Sequence, residues 1–304
     1  HKNFTLNKQA NKRYVINFGA VNYKALVYVN GVKIGSHEGG FTPFQFDITE
    51  QVNKGDNFII VKVDNRRERD QVPTINTDWW NYGGITRSVS ILELPKTYLA
   101  DYSIGLSKDN NAVISGSLKI KGQVNTKDKV TLLIPELGIN KKINVNKLGE
   151  ASFTINKAPT LWSPKAPKLY SLALQYNGEK IQDKIGFRTI EVDGDVVKLN
   201  GKSMYLRGIS IHEESPLNNG RAWSEEDARL LLGWAKELGC NFVRLAHYPH
   251  NEYMVREAEK MGLLVWSEIP VYWTVLFENA DTYINAERQL NEMIARDKNR
   301  AAVV

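Results

Sequence analysis

Up to about residue 190, apolar and polar positions alternate in short runs; beyond it they fall into a helical rhythm. Tyr14-Val15-Ile16-Asn17-Phe18 alternates, and Ala25-Leu26-Val27-Tyr28-Val29 runs straight into Asn30-Gly31. Asn-Gly between two such runs predicts a hairpin, because both turn positions need a positive φ. Phe58–Val63 and Ser88–Leu92 read as further strands. Close-spaced short strands without a helical period predict a jelly-roll-like β-sandwich over 1–94. Pro95 opens a second β region over 95–190, with strands at Ala112–Ile120, Lys129–Ile134 and Tyr170–Gln175 and a second Asn-Gly hairpin at Asn177-Gly178. The proline-rich stretch Pro159–Pro167 cannot feed a central ladder and is predicted as a loop or edge. Some seven strand candidates fit an immunoglobulin-like sandwich. No cysteine pair supports it, so that expectation rests on strand count.

After Arg188 the pattern changes. A hairpin at Asn200-Gly201 leads into a predicted strand Met204–Ile209. A helix follows, with Ser224 as N-cap, acids at Glu225, Glu226 and Asp227, an inward stripe of Ala228, Leu231, Leu232, Ala235 and Leu238, and Gly239 just past its end. Phe242–Ala246 is the next strand, and a second helix turns Met254, Val255, Ala258 and Met261 inward before Gly262. Leu263–Ser267 is apolar enough for a buried parallel strand. A third helix over about 282–299 is predicted to face inward through Ala286, Leu290, Met293 and Ile294, and Ala302-Val303-Val304 resembles the start of a fourth strand. Residues 191–304 thus read as the first half of a (β/α)8 TIM barrel, truncated at strand 4. Such a half cannot close a barrel, so the sequence is expected to continue past Val304.

Composition narrows the class. A chain of 304 residues with 42% hydrophobic and 24% charged residues is an ordinary globular one with room for several cores. No apolar run is long enough to span a membrane. The net charge of +6 is dispersed. The densest basic run, Arg66-Arg67-Glu68-Arg69, lies between Asp64 and Asp70 and reads as a solvated loop, so no nucleic-acid partner is expected. The lone Cys240 excludes an internal disulfide framework and leaves the compartment open, with a periplasmic or secreted one favoured.

Active sites of (β/α)8 barrels lie at the C-terminal strand ends. Those ends carry His212 and Glu213, then Arg244, His247 and His250, then Glu268. Two chemistries compete for such a rim. His212, His247, His250 and Glu268 could ligate a zinc-type ion, but no His-x-His or His-Glu-x-x-His spacing supports it. In a sugar site the same groups would exchange hydrogen bonds with hydroxyls, and aromatic faces would pack on the sugar ring. Trp266 and Trp273 flank the third strand end, and Trp79, Trp80 and Tyr82 crowd one loop of the first sandwich. Adjacent tryptophans cannot both point inward from a strand, so one of Trp79 and Trp80 should lie near solvent or another domain.

Three stretches resemble glycoside hydrolase family 2, the β-galactosidases, β-glucuronidases and β-mannosidases. They are Asp78-Trp79-Trp80-Asn81-Tyr82-Gly83-Gly84-Ile85-Thr86-Arg87; Gly186-Phe187-Arg188 through Asn200-Gly201-Lys202 to Arg207-Gly208-Ile209-Ser210-Ile211-His212-Glu213-Glu214; and Asn241-Phe242-Val243-Arg244-Leu245-Ala246-His247-Tyr248-Pro249-His250 with Gly262–Glu268. Tyr28-Val29-Asn30-Gly31 and Gly39-Gly40-Phe41 add to the match.

The resemblance implies a retaining exo-β-glycosidase acting on a terminal β-linked sugar. Asp78, His212 and His247 would contact the sugar in the −1 subsite, Arg244 would orient the nucleophilic carboxylate, and Glu268 would stand at the rim. The general acid/base and nucleophile glutamates are expected beyond Val304, so no catalytic carboxylate is assigned within the chain and the 304-residue chain alone is expected to be inactive. The family's first sandwich also begins with strands earlier than those seen here. Ser210 stands where many members carry Asn. After Glu268 the sequence lacks the Glu-x-His pair that binds magnesium in some β-galactosidases, so no metal or other cofactor is expected. Family frequency favours a β-galactosidase, with β-glucuronidase next, since the residues that read C6 would also lie beyond Val304. A reading of another class is a carbohydrate-binding protein without catalysis. Self-association is left open.

Overall fold

The computed structural model describes residues 1–125 and 127–304. Its first sandwich packs a four-stranded antiparallel sheet (order Lys2–Leu6, Gly55–Asp64, Lys24–Val29, Val32–Glu38) against a three-stranded one (order Phe44–Asp47, Lys12–Phe18, Val89–Pro95). Alternation decides which side faces in: along Lys24–Val29, Ala25, Val27 and Val29 are buried while the intervening residues are half exposed. The Asn30-Gly31 turn takes φ of 49° and 83°, as a two-residue hairpin requires. Asn30 also stitches the turn to its neighbours, donating to the Gln51 carbonyl (2.7 Å) and accepting from the Phe58 amide (2.9 Å).

The second sandwich faces a three-stranded sheet (Tyr98–Ser107, Asn110–Lys121, Glu150–Asn156) with a four-stranded one (Ile139–Asn144, Lys129–Ile134, Tyr170–Tyr176, Glu179–Ile185) around Ile114, Val130, Leu132, Leu174 and Ile185. Pro159–Pro167 stays outside these sheets, with one isolated bridge between Ser163 and Ala166. The loop carries Trp162, wholly buried against the third region, where its indole N–H donates to the Glu259 carbonyl at 2.9 Å.

The third region has the parallel strands Gly208–Ile211, Phe242–Leu245 and Leu264–Ser267 in that order, and Val303 bridges Val265 in parallel beside them. Helices α1 (Glu225–Glu237), α2 (Glu252–Met261) and α3 (Ala280–Asp297) follow the strands. The architecture is therefore two β-sandwiches followed by part of a TIM barrel. At α1 a capping box closes, with the Asp227 amide donating to Ser224 Oγ (3.0 Å) and the Ser224 amide to Asp227 Oδ2 (3.3 Å). Gly262 ends α2 in the left-handed region (φ 71°), and a Cβ there would stand 2.4 Å from the Pro164 carbonyl oxygen. Gly262→Ala is expected to cost about 2 kcal/mol through strain and clash together, read as a lowered midpoint in urea unfolding.

Three local expectations are corrected. The first barrel strand is Gly208–Ile211, not Met204–Ile209. The apolar residues Met204 and Leu206 pack against the barrel core without joining the parallel ladder, and Asn241 takes over the intervening polar groups by accepting from the Arg207 amide and donating to the Tyr205 carbonyl. Leu238, the C-cap residue of α1, is 71% exposed. Along α3, Leu290 and Ile294 face solvent, whereas Thr282, Asn285, Gln289 and Met293 are buried. The helix docks on the first sandwich through its polar side, because acceptors wait there: Thr282 donates to the Asp70 carbonyl (2.7 Å) and Gln289 to the Val72 carbonyl (2.7 Å) of a long sandwich loop, and Asn285 to the hydroxyl of Tyr23, just before strand Lys24–Val29 (3.0 Å).

Candidate functional site

The same sandwich loop, between strands Gly55–Asp64 and Val89–Pro95, reaches over the C-terminal ends of the barrel strands. Two joints hold it. At the deeper one, Arg87 donates to both Glu213 carboxylate oxygens (3.1 Å each), to the Pro249 carbonyl (2.6 Å) and to the Phe41 carbonyl (2.6 Å). Glu213 also accepts from Arg221 (2.8 Å) and from the Asn251 amide. Burial alone would raise the Glu213 pKa, but Arg87, then Arg221 and His250, outweigh it and hold the carboxyl below its ordinary value. Glu213, read from the sequence as a rim residue, is thus a buried structural carboxylate with 1% exposure.

The upper joint is aromatic. Phe41, Trp79 and Tyr248 form a buried cluster with Tyr272 packed against it, and Phe41 stacks on Tyr248 at 4.2 Å. The Arg221 guanidinium lies over the Phe41 and Tyr248 rings at 4.8 and 5.2 Å. Of the adjacent tryptophans, Trp79 is buried (8% exposed) and Trp80 is not (71%), as the pair was expected to divide.

Over this joint the predicted polar residues meet. Asp78 accepts from the Tyr272 hydroxyl at 2.7 Å, and its other oxygen is 3.9 Å from His247 Nε2. One ligand-capable atom from each of Asp78, His212 and His247 lies within 4.8 Å of the others, and the two imidazoles meet edge to face at 5.4 Å. Arg244 grips Glu268 with two bonds (2.9 and 3.2 Å) and sends a third N–H to His247 Nδ1 at 3.2 Å. A guanidinium can only donate, so Nδ1 is the acceptor and the neutral His247 ring carries its proton on Nε2, toward Asp78. Burial and then Arg244 lower the His247 pKa against the pull of Asp78 and Glu268. Ser210, Arg244 and Trp266 stand level across the three parallel strands.

The structure thus brings together Asp78, His212, His247, Arg244 and Glu268. It leaves His250 apart: wholly buried, with Nε2 on the Ala246 carbonyl at 2.8 Å. The four-ligand metal set His212, His247, His250 and Glu268 is therefore not assembled, since His250 is committed to backbone and Glu268 to Arg244. The remaining trio offers a carboxylate acceptor, an imidazole N–H donor and neighbouring aromatic faces, which suits hydroxyls. The sequence assigns no role to Tyr272, Arg87 or Arg221: Tyr272 and Arg87 bond to residues of another domain, and Arg221, bonded to Glu213 eight residues earlier, also lies over Phe41 of the first sandwich.

Burial pushes the His250 pKa down to about 4, so the folded protein refuses a proton that the unfolded chain accepts near 6.5. Acid therefore favours unfolding. The stabilisation is complete above pH 6.5 and is lost progressively as pH falls toward 4, by roughly 2 kcal/mol between pH 7 and pH 5. Urea midpoints at the two pH values check this, with His250→Asn expected to flatten the difference.

Comparisons with known proteins agree with this geometry. The models "Glycosyl hydrolases family 2, sugar binding domain", "Glycosyl hydrolases family 2" and "Glycosyl hydrolases family 2, TIM barrel domain" match residues 1–95, 97–188 and 190–304 in succession. The chain belongs to glycosyl hydrolase family 2. It is 34% identical to a putative β-glucuronidase of Formosa agariphila over 98% of this chain and 38% of that protein. It is also 34% identical to a β-galactosidase of Thermoanaerobacter pseudethanolicus over 96% of this chain and 41% of that one. A solved β-glucuronidase from an uncultured Clostridium species superposes with a TM-score of 0.85 at 29% identity, covering all of this chain and 55% of that one. The chain thus spans about two fifths of the length of these curated relatives.

Proposed function

We propose that the chain forms one wall of the −1 subsite of a retaining exo-β-glycosidase acting on terminal β-glucuronides. The convergence of a sandwich aspartate, Asp78, with barrel-rim His212 and His247 carries the reading. Asp78 accepts from sugar hydroxyls, His247 donates through Nε2–H, and His212 completes the set. Arg244, already turned to a carboxylate in Glu268, orients the nucleophile, and Glu268 keeps Arg244 and the His247 tautomer in place. A retaining enzyme also needs an acid/base and a nucleophile carboxylate about 5–5.5 Å apart, and this reading assigns neither role to a residue of this wall. The working division is a sugar-binding-like sandwich at 1–94, an immunoglobulin-like sandwich at 95–190 and the barrel portion from 191.

Support for glucuronate comes from the β-glucuronidases among the relatives, in place of the frequency argument that favoured galactose. The 34% identical β-galactosidase keeps galactosides as the second reading. Steady-state kinetics of the full-length protein on a panel of nitrophenyl glycosides tests both. The β-glucuronide is expected to give the highest kcat/KM, with the β-galactoside below it and α-anomers inert. Activity on none of the β-glycosides would leave a carbohydrate-binding role without catalysis.

A further inference from the structure

We propose that Trp273 is the platform for the leaving-group ring of the substrate, the +1 neighbour of the pocket formed by Asp78, His212 and His247. The inference rests on the glycosidase reading and adds to it a residue that discriminates among aglycones. Three observations converge.

Trp273 has φ of 55°, a left-handed backbone that a bulky residue adopts only at a cost in free energy. Such a conformation persists where its surroundings over-determine it, and here both flanking residues are tied to the sandwich loop. Tyr272 donates to Asp78 (2.7 Å), and Thr274 accepts from Asn76 at 3.3 Å. The unusual backbone does not serve to bury the side chain, since Trp273 is 70% exposed. What it achieves is display.

The display has a direction. Aromatic rings step outward from the joint: Tyr248 to Trp79 at 5.2 Å, Trp79 to Tyr272 at 5.3 Å, Tyr272 to Trp273 at 5.8 Å. Exposure rises along them, from 1% at Tyr248 through 8% at Trp79 to 70% at Trp273. Asp78 is bonded to the third ring, and the fourth stands 5.8 Å from that ring on the exposed side; in the proposed pose the aglycone of a sugar held by Asp78 lies against this fourth ring. An indole face accepts either the apolar face of a pyranose or an aromatic ring.

Kinetics of the full-length protein with Trp273→Ala and Trp273→Phe tests this on three substrates with one glycon: the methyl, nitrophenyl and disaccharide β-glycosides. Trp273→Ala is expected to lower kcat/KM about tenfold on ring-bearing leaving groups, chiefly through KM, and less than twofold on the methyl glycoside, which has no ring to stack. Trp273→Phe should recover most of the loss. A loss on both ring substrates identifies a general platform, a loss on the nitrophenyl substrate alone an aromatic one, and a loss on the disaccharide alone a sugar one. Equal losses on all three, or none on any, would overturn the proposal while leaving the glycosidase reading intact. A wild type inactive on all three removes that reading and this inference with it.

Discussion

Glu213→Ala is expected to destabilise the protein by about 4 kcal/mol, among the largest effects of any single substitution. The carboxylate is 1% exposed, and its two guanidinium partners, on Arg87 and Arg221, have side chains only 6% and 7% exposed. Removing the anion leaves two buried cations facing each other, the situation in which breaking a buried pair costs far more than the pair contributed. Burial already lowers the Arg87 pKa, with Arg296 and Arg221 adding to it, against the pull of Glu213. Glu213→Gln should lose less, since its side chain keeps an acceptor for the Asn251 amide. Urea unfolding with tryptophan fluorescence as the probe reads both variants, because Trp79 sits at the neighbouring aromatic joint, which Arg221 links to Glu213. A loss below 1 kcal/mol in Glu213→Ala would mean that this clamp does not hold the sandwich to the barrel.

Asp78→Ala in the full-length protein is expected to lower kcat/KM a hundredfold or more, about 3 kcal/mol of transition-state stabilisation. The carboxylate supplies the acceptor opposite the His247 N–H, and its place is kept by Tyr272. Tyr272→Phe should therefore lose much less, on the order of tenfold, since it removes the support and keeps the acceptor. Thermal midpoints within a few degrees of wild type are expected for both, because Asp78 is largely exposed and spans no buried pair. Wild-type kinetics in Asp78→Ala would take the sandwich loop out of the site.

Much of this was legible in the residues themselves. The Asn-Gly pairs at 30–31, 177–178 and 200–201 mark hairpins because positive φ is a local requirement, and all six residues meet it. Ser224 and Gly262 bound their helices for similarly local reasons. Residues at the strand ends were legible too, since a parallel barrel collects them on one rim regardless of detail. What stayed hidden depends on partners distant in sequence. The polar face of α3 is buried because carbonyls some 210 residues earlier need donors, and no helical periodicity encodes that. Glu213 looked like a rim residue because strand position, not the remote Arg87, was all the sequence displayed. Met204 and Leu206 alternate like strand residues because alternation reports burial on one side, which packing without pairing also produces.

The central claim is spatial: an aspartate from the N-terminal sandwich and two histidines from the barrel rim bind the same sugar. The most direct measurement is a crystal structure of the full-length protein with a non-hydrolysable sugar mimic bound. The account predicts Asp78 and His247 Nε2 within about 3 Å of ring hydroxyls, hydrogen-bond distance, with His212 against the same ring. A mimic seated elsewhere, with the Asp78 carboxylate out of reach of every hydroxyl, would contradict it.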